Sequence, residues 1–160
     1  MRGKTHIVGG IAASLAFAHF YHYDPISTLG AGVAGALLPD ICHSGSTIGR
    51  KLPLLSKLVN KLFGHRTFTH SLLFLVTVAF LLNMYVPNES LRGGFLVGMA
   101  SHYLLDMATK NGIQLLYPIR FTVRFPLTAK TGGAVETVVF AVLSLFSFYM
   151  GYLLFDHYLG

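Results

Sequence analysis

Two long apolar runs without formal charge constrain the fold of this chain most strongly. Residues 67–86 and 137–155 contain no Asp, Glu, Lys or Arg over 20 and 19 positions, respectively. As helices, both are long enough to cross the hydrocarbon core of a bilayer, which is about 30 Å thick. Three shorter apolar segments predict further spans, at 6–23, 26–39 and 93–105. We therefore expect an all-α integral membrane helical bundle of about five spans, forming a single domain over the whole chain.

The charged residues favour a membrane protein and predict its orientation. Only 11% of the residues are charged, whereas soluble domains carry about 25%. With the N-terminus inside, 11 of the 12 Lys and Arg residues fall in inner segments, and Arg92 alone falls outside. This asymmetry follows the positive-inside rule and predicts a multi-pass protein of the bacterial cytoplasmic membrane. Because the lipid bilayer accounts for the net charge of +6, we expect no nucleic-acid partner.

Three segments have patterns of their own. In residues 51–63 the leucines recur on one helical face and two lysines lie away from it, which predicts a basic amphipathic helix on the inner membrane surface. In residues 119–125 apolar side chains alternate with polar ones, which predicts a short extended arm. The glycines of residues 30–35 match the spacing of a dinucleotide fingerprint, but no strand precedes them. With Gly94 and Gly98, they instead predict close packing of membrane helices.

Eight ionisable side chains fall at the inner ends of the five predicted spans. Such residues are costly at membrane depth and are usually functional there. Because every span contributes at least one, the topology predicts a single polar cluster at one membrane depth. Its members are His6, Asp40, His43, His65, His70, His102, Asp106 and Glu136.

Sequence spacing refines this cluster. His102 and Asp106 are four residues apart and share one face of a helix, so they can bind one ion or simply pair with each other. His65 and His70 are five residues apart, which is about 140° of rotation around a helix. These two side chains converge only if His65 precedes the helix and His70 lies within it, with Thr67 as the N-cap.

The composition of the cluster predicts a metal site. Histidine and aspartate without a cysteine cluster suit zinc first, with manganese or iron as alternatives. Six or more such groups exceed the three protein ligands of one catalytic ion, so we expect two divalent ions, a pair that suits phosphate ester hydrolysis. For each histidine alone, an interfacial or hydrogen-bonded role is the competing interpretation. Arg66, Arg120 and Arg124 are candidates to hold a substrate phosphate, with the alternative that Arg120 and Arg124 act only as positive-inside anchors.

Four motifs carry a family resemblance, and they occur in the order 37–43 (LLPDICH), 64–71 (GHRTFTHS), 101–109 (SHYLLDMAT) and 112–118 (GIQLLYP). Together they resemble the YdjM-like family, described as LexA-binding, inner-membrane-associated, metal-dependent hydrolases. Many members read Asp-Ile-Asp-His where this chain has Cys42 before His43. Either Cys42 replaces that aspartate as a soft ligand, or the bond is missing. The resemblance implies a metallohydrolase whose ligands map onto His6, Asp40, His65, His70, His102 and Asp106.

These observations lead to one functional hypothesis and two rivals. The hypothesis is a membrane-bound hydrolase that cleaves an ester or phosphodiester of a lipid or lipid-linked substrate at the cytoplasmic face, using a metal-activated water. Glu136 or His43 would move protons, and Arg66, Arg120 and Arg124 would bind the negative charge of the substrate. The first rival is a non-enzymatic structural or regulatory protein with a structural metal. The second is a transporter, which the placement of the ionisable residues at one face disfavours.

Overall fold

Seven α-helices occur in the part of the chain that this computed structural model describes, residues 1–64 and 66–159, with side chains described as far as Asp156. The helices are α1 (Gly3–Tyr21), α2 (Pro25–Leu37), α3 (Thr47–Lys51), α4 (Pro53–Phe63), α5 (Leu72–Tyr85), α6 (Glu89–Met107) and α7 (Ala134–Leu159). One 3₁₀ turn, Leu38–Cys42, follows α2, and another, Phe68–His70, precedes α5. The predicted all-α class is confirmed.

Side-chain caps fix where two of the long helices begin. Asp24 precedes Pro25 at the start of α2, and its Oδ2 accepts a hydrogen bond from the Ser27 amide at 2.7 Å. Hydrogen bonds from the Ser27 hydroxyl and from this amide lower the pKa of the Asp24 carboxyl. At the start of α6, Asn88 Oδ1 accepts from the Leu91 amide at 3.0 Å. In both cases a short polar side chain satisfies a backbone N–H that the first helical turn leaves without a partner.

The centre of the bundle is formed by α1, α2 and α6, which pack closely because glycines line their contacts. A Cβ atom built on Gly98 would lie 2.0 Å from the carbonyl oxygen of Gly32. A Cβ built on Gly35 would lie 2.0 Å from the carbonyl oxygen of Phe95. Only glycine permits these backbone approaches. The close packing predicted from the small residues is therefore confirmed.

Two peripheral helices, α5 and α7, expose apolar side chains on their free sides. α7 packs against α1 and α5 packs against α6. No residue of α5 is buried, and α7 buries few of its residues. A helix that is apolar all round is normally buried in a protein core or in a membrane. The protein itself leaves the free sides of α5 and α7 uncovered.

The predicted number of about five spans is not confirmed. In the described part of the chain, two segments are long and apolar enough to cross a membrane, Pro25–Cys42 and Ala134–Asp156. α5 is apolar but has only 14 residues, about 21 Å at a rise of 1.5 Å per residue. α6 is long enough, but it carries Glu89, Arg92 and Asp106. The five apolar segments do form helices, and their number as spans stays a prediction.

The start of α5 differs from the prediction. The helix begins at Leu72, and its N-cap is Ser71, whose Oγ accepts from the Phe74 amide at 3.2 Å. Thr67 does not cap it, because its hydroxyl instead donates to the Phe63 carbonyl. His70 therefore lies in the 3₁₀ turn before the helix and not within it, which corrects the expected placement. His65 lies outside the described residues.

The two patterned segments, 51–63 and 119–125, form a helix and an extended arm, respectively. α4 is a helix whose Leu54, Leu58 and Leu62 are exposed. The segment 119–125 forms no strand; it pairs with residue 113 through one antiparallel bridge, between Ile113 and Val123. The two N–H···O distances of that bridge are 2.8 and 3.1 Å. The arm is thus extended and hairpin-like, but it is held by a single bridge.

Candidate metal centre

Four side chains from three parts of the chain converge at one end of the bundle. They are Asp40 in the turn after α2, His70 in the turn before α5, and His102 with Asp106 in the last turns of α6. One ligand atom from each lies within 4.8 Å of the others. The side chains of His70, His102 and Asp106 are fully buried, and that of Asp40 is 16% exposed. The structure thus brings together four of the residues that the sequence singles out.

Both carboxylates face both imidazoles. Asp106 Oδ2 lies 3.5 Å from His70 Nε2 and 3.6 Å from His102 Nε2. Asp40 Oδ1 lies 3.9 and 3.8 Å from the same two nitrogens. The two Nε2 atoms are 3.2 Å apart. The four ligand atoms therefore surround a common point instead of forming separate pairs.

The ring of His102 is oriented by a backbone group. Its Nδ1 lies 2.7 Å from the carbonyl oxygen of Ala36. Because a carbonyl only accepts, Nδ1 carries the proton and donates it, which leaves the lone pair of Nε2 directed at the cluster. His70 Nδ1 has a hydroxyl neighbour, Thr69 Oγ1, at 3.1 Å. Metal-binding histidines are commonly held in this way through their second nitrogen.

His6 lies beside this group of four. Its ring stacks on that of His102 with centroids 3.7 Å apart, and its Nε2 is 3.3 Å from Asp106 Oδ1. The residue is 1% exposed. Among the described residues, neither His6 ring nitrogen has a hydrogen-bond partner, and neither does Asp106 Oδ2. Buried polar atoms without partners are rare in native proteins and require an explanation.

The residues present fit a divalent metal ion. Two nitrogen ligands at about 2.0–2.1 Å from a tetrahedral zinc lie about 3.3 Å apart, close to the 3.2 Å between His70 and His102. An ion at the common point would also satisfy Asp106 Oδ2. Two imidazoles and two carboxylates are a donor set suited to zinc, manganese or iron. This buried group is therefore able to hold a metal ion.

The Arg66 guanidinium approaches the cluster from the other side of Asp106. Its Nη2 donates to Asp106 Oδ1 at 2.9 Å, and its Nη1 donates to Thr109 Oγ1 at 3.1 Å. The N-terminal amine of Met1 donates to the same Oδ1. The Arg66 side chain is 14% exposed. Oδ1 is thus held by cations, while Oδ2 faces the two histidines.

Glu136 connects the beginnings of two helices. Its Oε1 accepts from the Arg2 amide at 2.6 Å and from the Thr5 hydroxyl at 2.7 Å. Its Oε2 accepts from the Gly132 amide at 2.5 Å. These contacts fix the start of α1, and hence His6, relative to α7. The expected proton transfer by Glu136 stays a prediction.

A polar cleft of about 480 Å³ gives access to the group of four at Asp40. The exposed ring of His43 lies at its edge. Basic side chains line it on several sides, and hydroxyl and amide groups complete the wall. The lining residues include Arg2, Lys4, Arg50, Arg66, Ser46, Thr47, Asn111 and Thr131.

Two of the three arginines expected to bind substrate are not at this cleft. Arg120 and Arg124 are exposed on the extended arm, and Arg124 Nη1 donates to the Lys110 carbonyl at 3.4 Å. The structure therefore does not bring them together with the cluster. Arg2 and Arg50, which line the cleft, were not expected there. The adjacency of Arg2 to His6 was the one signal in the sequence, and nothing local points to Arg50.

Cys42 is fully buried beside the cluster. Its Sγ lies 3.5 Å from the Pro39 carbonyl, to which the thiol donates. It does not belong to the group of four ligands. Of the two alternatives that the sequence left open at this position, the arrangement favours a site without a bond from residue 42.

Comparison with known proteins finds relatives along nearly the whole chain. The family model described as "YdjM inner membrane protein" matches residues 1–157. "Uncharacterized protein YvsG" of Bacillus subtilis (strain 168) is 52% identical over 155 residues, which cover 97% of each chain. "Inner membrane protein YdjM" of Escherichia coli (strain K12) is 34% identical over 164 residues, covering 94% of this chain and 83% of that relative. No solved structure matches this chain.

Proposed function

The chain belongs to the YdjM inner membrane protein family, and from this membership and the metal-binding geometry we propose that it is a membrane-bound, metal-dependent hydrolase. Its substrate is a lipid or lipid-linked molecule with an ester or phosphodiester bond, cleaved at the cytoplasmic face of the inner membrane. The observation that carries this proposal is the exposure of Asp40 to the polar cleft while the other three ligands are fully buried.

The proposal assigns each residue of the cluster a role. Asp40, His70, His102 and Asp106 hold a divalent ion, and zinc is the first candidate. When bound, such an ion polarises the substrate and activates water for hydrolysis. His102 is oriented by the Ala36 carbonyl. The exposed His43 at the edge of the cleft takes up or releases protons.

The expected second ion has less support. His6 Nε2 faces Asp106 Oδ1, but that oxygen already accepts from Arg66 and Met1. The ligand atoms within 4.8 Å of one another suit one ion. A second ion on the His6 side stays a prediction.

The membrane placement rests on the exposed apolar helices. α5 and α7 carry apolar side chains that the protein leaves uncovered, and lipid is the medium that covers such surfaces. In this placement α1, α2, α5, α6 and α7 cross the bilayer. The cluster then lies at the inner end, where most Lys and Arg residues collect. α4 lies on the membrane surface, with its exposed leucines in the lipid.

The four-ligand set itself supports a second candidate. Structural zinc sites have four protein ligands, whereas catalytic sites keep one coordination position open. If all four side chains bind the ion and no position is left for water, the metal only ties α2, α6 and the turn before α5 together. The chain would then be a non-enzymatic membrane protein.

Hydrolysis assays distinguish these candidates. The metal-loaded protein in mixed micelles is incubated with a panel of phospholipids and lipid esters, and products are measured by mass spectrometry. The hydrolase proposal predicts turnover that falls about 100-fold or more in Asp40→Asn. The matched control His19→Gln, at the opposite end of α1, retains full turnover. Bound metal without turnover on any substrate of the panel would support the structural role.

A further inference from the structure

We infer that the basic cleft beside Asp40 binds a phosphate group through Arg2 and Arg50. This inference rests on the proposed function, because it names the chemical class of the substrate and the residues that recognise it. It replaces Arg120 and Arg124 as the expected anion-binding residues.

Two elements form opposite walls of this cleft, and they are held together. Arg2 and Lys4 come from the start of α1, and Arg50 comes from α3. A Cβ built on Gly3 would lie only 3.0 Å from Thr47 Oγ1, so the two elements are in direct contact. Arg2 and Arg50, one from each wall, therefore line the same cleft.

The wall formed by α3 is also fixed relative to the metal ligands. The Ser46 hydroxyl donates to the carbonyl oxygen of Asp40 at 2.8 Å, and the same Oγ accepts from the Gly49 amide at 2.9 Å. On the other wall, the Arg2 amide is held by Glu136. Because Ser46 ties the α3 wall to Asp40 and Asp40 itself lines the cleft, an anion in the cleft lies next to the metal-binding group.

The charges of the cleft are unbalanced. Arg66 is paired with Asp106, and the Lys4 ammonium lies 5.1 Å from the centroid of the Phe140 ring. Arg2 and Arg50 are therefore the cations left to face the single carboxylate of Asp40. Arg2 and Arg50 are exposed, and in the described part of the chain the arginine ion pairs involve Arg66 and Arg92 instead. Guanidinium groups without a carboxylate partner are available to an anion from solution or from the membrane.

Phosphate fits this combination best among the common anions. Arg2 and Arg50 both line the cleft, and one guanidinium group can bind two phosphate oxygens at once. The hydroxyls of Thr47 and Thr131 and the amide of Asn111 supply further hydrogen-bond groups. A volume of about 480 Å³ is in the range of small-ligand sites. A phospholipid headgroup and a free phosphate compound share this chemistry.

Titration calorimetry of the full-length protein in a neutral detergent, freed of metal with a chelator, tests the inference. The probes are inorganic phosphate and water-soluble dihexanoyl phosphatidic acid. We expect Arg2→Gln and Arg50→Gln each to weaken binding by about tenfold, the usual effect of losing a charged hydrogen bond. The matched controls Arg120→Gln and Arg124→Gln should bind like the parent.

Comparing the probes identifies the source of the phosphate. If the affinities of both probes depend equally on Arg50, the cleft recognises the phosphate itself. If only phosphatidic acid binds, the cleft recognises a lipid headgroup. Both outcomes support the inference. Absence of binding, or equal weakening by Arg124→Gln and Arg50→Gln, overturns it. Arg50→Lys, which keeps the charge, guards against misfolding and should show an intermediate loss.

The outcome is separable from that of the proposed function. Because the titration uses metal-free protein and needs no turnover, Arg50-dependent phosphate binding with no hydrolysis leaves the inference standing and removes the hydrolase. Hydrolysis with a KM that is unchanged in Arg2→Gln and Arg50→Gln keeps the hydrolase and overturns the inference.

Discussion

His70 Nε2 and His102 Nε2 lie 3.2 Å apart inside the helix bundle, with a carboxylate oxygen of Asp106 within 3.6 Å of both. The two histidines are 32 residues apart in the chain and come from different elements. His102 Nε2 has its lone pair directed into this space, because Nδ1 donates to Ala36. A cation at the centre of the cluster accounts for both the distance and the orientation.

The first prediction concerns metal content. Purified protein should contain about one divalent ion per chain, as expected for a single set of four ligands. His70→Gln and His102→Gln should each reduce the metal content several-fold, measured by plasma mass spectrometry after dialysis. His22→Gln, at the C-terminal end of α1, is the control and should leave it unchanged. A parent protein that retains no metal after purification in metal-supplemented buffer contradicts the prediction.

The second prediction concerns the ion pair between Arg66 and Asp106. Arg66→Met removes a buried partner of the carboxylate, and such losses cost about 3–5 kcal/mol when no other cation compensates. Because the Met1 amine also contacts Oδ1, we expect a loss at the lower end of that range. Chemical unfolding in detergent, followed by circular dichroism, measures it. Arg92 pairs with Glu89, whose side chain is 66% exposed, so Arg92→Met should lower the free energy of unfolding far less. Equal losses of stability in the two variants would contradict the predicted contribution of the buried pair.

The third prediction concerns the packing of α2 against α6. Gly98→Ala forces a methyl group against the Gly32 carbonyl, and overpacking of this kind costs about 1–3 kcal/mol. The control is Gly30→Ala, since a Cβ at Gly30 meets no atom within 4 Å. Replacing a helical glycine there should be neutral or stabilise the helix. The thermal midpoint should therefore fall in Gly98→Ala and stay unchanged or rise in Gly30→Ala, and a similar drop in both variants would contradict the close packing at Gly98.

The fourth prediction concerns the number of spans. In a Cys42→Ala background, single cysteines at Asn88, Lys57 and Lys130 are labelled with a membrane-impermeant maleimide in intact cells. Five spans with the N-terminus inside predict labelling of Asn88→Cys from outside. Lys57→Cys and Lys130→Cys should react only after the cells are opened. Labelling of Lys130→Cys in intact cells would require a different topology.

Local patterns predicted much of this molecule. Apolar runs identified the five long helices, and the four-residue spacing of His102 and Asp106 placed both on one face of α6. Small residues marked the contact between α2 and α6. Charge asymmetry then placed Asp40, His70 and His6 at the same end of the bundle, where the structure has them.

Features set by tertiary contacts escaped prediction. Thr67 and Ser71 are both acceptable N-caps, and the choice of Ser71 depends on the 3₁₀ turn between them. Arg50 reaches the cleft only because Ser46 ties α3 to Asp40. The sequence also predicts Arg124 as an anion-binding residue, but the extended arm that carries Arg124 does not line the cleft. The positions of Arg50 and Arg124 relative to the cleft thus depend on how their segments pack against the rest of the fold, and their neighbours in the sequence do not reveal this.

The most direct test of the account is anomalous diffraction at the zinc absorption edge from crystals of the zinc-loaded protein. We predict one strong peak at the centre of the cluster, about 2.0–2.2 Å from His70 Nε2, His102 Nε2 and a carboxylate oxygen of Asp106. The refined structure should also show Asp40 bound to the ion and a further coordination position that opens toward the basic cleft. A cluster without an anomalous peak, with the two histidines bridged only by hydrogen bonds, would contradict the metal centre and the function built on it.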